Sequence, residues 1–306
     1  MLRQAENKVK IEGILSEIDL KTGSFMKNGS KVDSIGGTIK VKVEQKIGDK
    51  EYTLEIPVHM FASKLTNAGK PNPAYESISR IMNEYTSIAA AGGEDGADRI
   101  RITSGQIQMN EYYGQNGQLI SFPRINSSFV TKVKKEEFSP EATFVTDFYV
   151  ASKEDEVDAN DTATGRIKIR GVLPQYGGRV DVVDFYGMPG TVKDSISKYW
   201  NEGDTVKAQG RLNFSSKTEK IVREVDFGEP QVDIRTINVS ELIITGGNQT
   251  PVDGEFAFDP DEIEKALVER RKRLDSQKER DMERAKNRGS KAPAKGSVKD
   301  NLDVGF

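Results

Sequence analysis

The stretch DFYGMPGTVKDSISKYWNEGDTVKAQGRLNF, Asp184–Phe214, decides the fold. It leaves a strand, turns, and enters a helix near Val192–Trp200 with apolar positions at Ile196, Tyr199 and Trp200. Gly203 marks the next turn. A strand then runs to Phe214, with Gly210 where it must bend sharply.

The same succession occurs earlier in the chain, which makes the sequence an internal repeat. VDVVDFY at Val180–Tyr186 matches IPVHMFA at Ile56–Ala62, and DSISKYWNE at Asp194–Glu202 matches ESISRIMNE at Glu76–Glu84. KAQGRLN at Lys207–Asn213 matches RITSGQIQ at Arg101–Gln108, with Gly105 in the place of Gly210. RIKIRGVL at Arg166–Leu173 matches KVKIEGIL at Lys8–Leu15, and INVS at Ile237–Ser240 matches INSS at Ile125–Ser128. Matches in one order, with offsets that drift through loops, point to a duplicated unit. The first unit's helix, near Tyr75–Ile88, has apolar positions at Ile78, Ile81, Met82 and Tyr85. Basic and β-branched residues alternate in both units, and again in Thr38–Val43 and Arg99–Ile102, which places apolar side chains on one sheet face.

Five strands with one helix between the third and fourth make the OB arrangement. The expected fold is therefore dominated by β structure: two tandem OB barrels, one helix each, and a C-terminal helix. Residues 1–134 form the first barrel and 135–164 a strand plus acidic connector. Residues 165–250 form the second barrel, 251–290 a linker and charged helix, and 291–306 a disordered tail. Asp184–Phe214 is similar to the middle of bacterial single-stranded-DNA-binding proteins, where an aromatic-Gly strand end leads to a helix, a Lys-Gly or Glu-Gly turn and a strand ending Gly-Arg-Leu. Glu202-Gly203 and Gly210-Arg211-Leu212 are the matching residues. The resemblance covers one barrel closely and the other only through the repeat. It implies a non-catalytic binder of single strands. Two barrels in one chain depart from the usual one-barrel tetramer, so no oligomeric state is carried over.

Composition narrows the function. The 306 residues include no cysteine and one histidine, His59, which excludes disulfides, thiol nucleophiles and His-based metal clusters. There is no apolar run of membrane-spanning length, no secretory opening, and no GxxxxGK[ST], HExxH or GxSxG motif, so a cytoplasmic protein without enzyme activity, metal or cofactor is expected. The net charge of −3 conceals an uneven distribution. Asn7–Lys134 carries 17 Lys and Arg against 14 Asp and Glu, whereas Lys135–Thr164 carries 2 against 9. Gly165–Thr250 carries 12 against 11, so both barrels are mildly basic.

A single-strand binder needs cations for phosphates and flat apolar surfaces for bases. The candidate cations are Lys8, Lys10, Lys40, Lys42, Arg99 and Arg101 in the first unit, and Arg166, Lys168, Arg170, Arg179, Lys207 and Arg211 in the second. The alternative for each is a charged, solvated sheet face. Candidate stacking residues are Tyr112 and Tyr113 beside the Gly114–Gly117 turn, with Phe122, Tyr176 and Phe214 at strand ends or turns. Phe25 lies in a Gly/Ser-rich loop, Lys21–Gly37, expected to be mobile and basic. Phe61, Phe129, Phe185 and Tyr199 are read as core; Trp200 is read first as core and second as a stacking residue. His59 reads as a strand histidine, and the acids from Glu154 to Asp161 lack the spacing of a calcium loop.

Asp259-Pro260-Asp261-Glu262 begins a helix running to about Arg288. Its apolar stripe is thin (Ile263, Leu267, Leu274), and Arg270–Arg273 either touches nucleic acid or is solvated. The chain closes on Asp300, Leu302, Asp303, Val304 and Phe306, a weak version of the acidic, Phe-ended tip with which bacterial single-strand binders dock partner proteins. The expected role is coating and protecting single-stranded DNA in replication or recombination, with phage or mobile-element origin drawn from the tandem form. RNA binding, or an assembly protein that uses the barrels for protein docking, are the alternatives.

Overall fold

The computed structural model describes residues 2–289, apart from 28, 48, 49, 115, 159 and 224–230. The chain forms β1 (Asn7–Lys27), β2 (Ser30–Ile47), β3 (Lys50–Ser63), α1 (Pro73–Glu84), α2 (Ile88–Ala91), β4 (Arg99–Tyr113), β5 (Leu119–Asn126) and β6 (Thr131–Lys132). It continues with β7 (Glu141–Val157), β8 (Ala163–Pro174), β9 (Val180–Gly187), α3 (Thr191–Tyr199), β10 (Thr205–Arg223), β11 (Gln231–Gly247) and α4 (Pro260–Gly289).

Two rings result. The first runs β1-β2-β3-β5-β4 and closes through β1–β4; the second runs β7-β8-β9-β11-β10 and closes through β7–β10. In each, the third and fifth strands pair parallel and the other pairs are antiparallel. These are two OB barrels. Closure leaves little room at the bends: a side chain on Gly210 would run into the Ile243 carbonyl and the Phe144 ring.

The ring order revises the repeat. Lys8–Leu15 lies on β1, the opening strand of its barrel, but Arg166–Leu173 lies on β8, the second strand of the other. The counterpart of β1 is β7, much of which the sequence analysis placed in the connector. The acidic stretch is the end of β7 and its turn into β8: Val157 pairs Ala163 across that turn. Basic–apolar alternation describes any half-exposed strand, so it matches strands without fixing their place in the ring. Lys21–Gly37 is likewise laddered rather than loose, from Lys21↔Gly36 to Lys27↔Ser30.

The first barrel buries an aliphatic core, including Val9, Ile11, Ile39, Val58 and Ile125, closed at one end by Ile78 and Ile81 of α1. The Asn72 side chain accepts from the Ala74 N–H at 3.1 Å and starts that helix, with Pro73 in its first turn. The second core is aromatic. Phe148 stacks on Phe185 at 4.4 Å between ring centroids, and Trp200 meets Phe148 edge-on at 6.0 Å. The Trp200 Nε1–H donates to the Asn248 carbonyl at 2.7 Å, so its polar atom is satisfied inside the fold.

The barrels join edge to edge. β1 pairs antiparallel with β7 from Asn7↔Thr146 to Glu12↔Glu141. Asn7 donates to the Ile107 carbonyl and accepts from the Ile107 N–H, at 2.8 and 2.9 Å. Asp181 of β9 accepts from the Met109 N–H of β4 at 3.1 Å. α4 fastens the joint. Asp259 caps it by accepting from the Asp261 N–H at 2.8 Å, and its Ile263 and Leu274 are buried. Arg270 forms an ion pair with Glu111 of β4, and Gln277 donates to the Glu111 carbonyl at 2.7 Å. α4 is therefore a packed element and not a solvated helix. No described helix is long and apolar enough to cross a membrane.

Candidate nucleic-acid interface

The outer face of β3, β5 and β4 carries a track of aromatic and amide side chains. Antiparallel pairing sets Tyr112 opposite Ile120, Asn110 opposite Phe122, Gln108 opposite Arg124 and Gln106 opposite Asn126, all turned outward. β3 lies parallel to β5 with His59 beside Asn126, and adds Phe61 two residues on. His59, Phe61, Gln106, Gln108, Arg124 and Asn126, together with Ser104, Ser127, Ser128 and Phe129, line a groove of about 550 Å³. Gln106, Gln108 and Arg124 also wall a second hollow of about 400 Å³ at the barrel joint, with Tyr176, Arg179, Arg273 and Gln277. At the other end Phe25 lies 5.9 Å from Phe61, and a third hollow holds Lys27, Lys31 and Lys64. Gln106, Gln108 and Arg124 are common to the first two hollows, and the Phe25–Phe61 contact leads from the groove to the third, on the β1–β2 arm.

The expected stacking residues divide. Tyr112 and Phe122 are exposed and meet edge-on at 6.4 Å. Phe25 is exposed on its arm, and Tyr176 is 85% exposed at the joint. Tyr113 points to the opposite side of β4, where Lys278 of α4 lies 5.7 Å from its ring. Phe214 is 2% exposed and fills the second core, because it follows Leu212 on the inward face of β10. Phe61 and Phe129, read as core, are 55% and 51% exposed and flank the groove. Strand parity carried the signal for Phe61: Ile56, Val58, Met60 and Ala62 point inward, so Pro57, His59 and Phe61 point outward. Parity also marks Gln106, Gln108, Arg124 and Asn126, all missing from the sequence reading.

Most of the expected cations are engaged with acids. Lys8 and Lys207 meet Glu6 at 2.9 and 2.7 Å, Lys10 meets Glu141, and Lys40 meets Glu17 at 2.5 Å. Lys42 lies 2.7 Å from Glu44 and 2.5 Å from Glu94. Arg101 holds the buried Glu12 at 2.5 Å, and Arg99 lies over the Phe138 ring. Arg166 bridges Glu156 and Glu241 at 2.5 and 2.9 Å; Lys168 and Arg170 share Asp184 at 3.3 and 3.1 Å. Arg211 is half-buried on β10 opposite Ile243. Along the track, Lys31, Arg124, Arg179 and Arg273 make no ion pair among the described residues. The sequence reading had named Arg179 among the strand cations and Arg273 within the Arg270–Arg273 cluster, and Lys31 lies in the basic loop it marked. Burial lowers the pKa of His59, and the Arg124 charge adds to it, so its imidazole is neutral at pH 7. Burial raises the Asp181 carboxyl above the usual range. Asp300, Leu302, Asp303, Val304 and Phe306 lie outside the described residues.

Residues 5–280 match the model of the YorF family. The chain belongs to the YorF family. In fold, this YorF chain is similar to the wild-type single-stranded DNA binding protein from Thermus aquaticus, with a TM-score of 0.51 at 9% identity. The match covers 82% of the YorF chain and 96% of the Thermus chain. A deletion mutant of that protein gives a TM-score of 0.48, also at 9% identity, covering 84% and 98%. Among curated proteins no sequence matches.

Proposed function

We propose that this YorF-family protein binds single-stranded DNA along the track from Phe25 and Phe61, over Arg124, to Tyr176 and Arg179. The observation that carries this reading is the continuity of the three hollows. Exposed aromatic rings recur along them, and so do cations not neutralised by neighbours. Rings of this kind stack on any base, and unpaired cations meet phosphates. Similarity of fold to a single-stranded DNA binding protein agrees with the reading. Within it we place the protein as a non-catalytic coat for single strands in replication or recombination, in the cytoplasm of a bacterial host, encoded by a phage or mobile element. The Asp300–Phe306 tip recruits partner proteins.

The test is fluorescence anisotropy with labelled oligo-dT, its duplex and oligo-U at low and moderate salt. The expected result is tight binding to oligo-dT that weakens with salt and exceeds duplex binding. Preference for oligo-U would make RNA the ligand. No binding at micromolar protein would overturn the reading.

A further inference from the structure

We infer that the floor of the groove reads base edges, so that one position of the bound strand is base-selective. The inference rests on the single-strand reading above and adds specificity to it. A sequence-neutral binder needs rings and cations. This floor instead presents Gln106, Gln108, Arg124 and Asn126 between Phe61 and Phe129, with neutral His59 beside them. Amide and guanidinium groups with fixed donor and acceptor directions distinguish one base edge from another.

The amides satisfy one another only in part. The Asn126 Nδ2 donates to Gln108 Oε1, which fixes the amide orientation and leaves Asn126 Oδ1 without a donor. Among the described residues Arg124 Nε has no acceptor, and the Arg124 Nη1 reaches Asn110 Oδ1 only at 3.4 Å. Burial works against the Arg124 charge, and the Asp181 carboxylate opposes this through its charge alone, without a hydrogen bond. Orphaned buried polar atoms are rare in folded proteins and costly, so each calls for a partner. Here an unmet donor and an unmet acceptor stand two residues apart on one face of β5. A base held against Phe61 or Phe129 supplies an acceptor and a donor on its edge. The two atoms are shielded in the free protein, so the side chains turn to a new rotamer as the base enters.

The experiment measures dissociation constants for oligo-dT, oligo-dC, oligo-dA and an abasic strand of equal length. Proteins compared are the full chain, Arg124→Met, Asn126→Ala and Phe61→Ala, each with its thermal melt recorded. The wild type is expected to favour one homopolymer by about tenfold or more. Arg124→Met and Asn126→Ala each bring that ratio to within about twofold, because they weaken the favoured homopolymer more than the others. Phe61→Ala weakens all three alike, because stacking is blind to the edge. Equal wild-type affinity for the three bases, or a ratio unchanged in both floor variants, overturns the inference and leaves single-strand binding standing. Failure to bind any single strand overturns the parent reading instead.

Discussion

Phe61 and Phe214 show how one residue type takes opposite parts. Phe61 follows the inward Met60 and faces solvent; Phe214 is sealed in the second barrel with Leu212 and Phe144. Phe61→Ala is therefore expected to leave the melting temperature nearly unchanged and to weaken oligo-dT binding by ~1–3 kcal/mol. Phe214→Ala is expected to cost about 3–5 kcal/mol of stability, read from a thermal or denaturant melt. Parity could be read from IPVHMFA once its phase was fixed. Phe129 had no such signal, since it lies beyond β5 where no alternation applies. The ion pairs were also hidden. A basic residue on a strand looks the same whether its neighbour across the ladder is water or a glutamate, and Arg166 meets Glu241 across 75 residues of chain. Those pairs give stability a direction with pH. Hydrogen bonds from Arg166 hold the Glu156 carboxyl below its ordinary 4.5, and Lys207 does the same for Glu6. A depressed folded pKa contributes stability that is present above the unfolded value and lost as pH falls through the folded one. The melting temperature should thus fall below about pH 4.5 as these carboxylates take up protons, after a shallower decline through about pH 6.5, where the unfolded His59 imidazole protonates before the folded one. Glu156→Gln should lower it at neutral pH and flatten part of the acid slope, as melts across that range would show.

At the scale of elements, α4 was legible in its limits and not in its role. Asp259 and Pro260 announce its start, and the helix ends one residue beyond the expected Arg288. Its docking rests on Ile263, Leu274 and the Arg270–Glu111 pair, whose members are 159 residues apart. A thin apolar stripe gives no hint of a surface prepared elsewhere in the chain. Side-chain exposures of 16% and 7% make this a largely buried pair, and breaking such a pair by removing one member costs about 3–5 kcal/mol. Arg270→Met should therefore destabilise the protein. It should also speed hydrogen exchange in β4 and β5, the strands that carry Gln108 and Arg124 into the groove. Unchanged exchange there would show that the hairpin holds itself. The strand count of each ring was legible, but the place of β7 was not: its alternation breaks at Asp147-Phe148, where adjacent residues are both buried because β7 serves three neighbours, β1, β8 and β10.

Over the whole molecule, the β1–β7 ladder, Asp181 and α4 tie the barrels into one body. Calorimetry should show a single transition with matching calorimetric and van't Hoff enthalpies, rather than one for each barrel. The net charge of −3 says little about the ligand. Lys27, Lys31, Arg179 and Arg273, which make no ion pair among the described residues, meet one phosphate each and predict a slope of about −3 for log affinity against log salt on single strands. A slope near zero would remove Lys27, Lys31, Arg179 and Arg273 from phosphate contact.

The strand that opens the first barrel also has consequences for how the protein is made. From Asn7 to Glu12, β1 takes β7 as a partner, and β7 begins at Glu141. A ribosome adding ~5–20 residues per second finishes the first barrel about 1–4 seconds before that partner emerges. Throughout that interval the nascent chain carries an open strand edge, with Lys8 and Lys10 as charged guards against pairing with another chain.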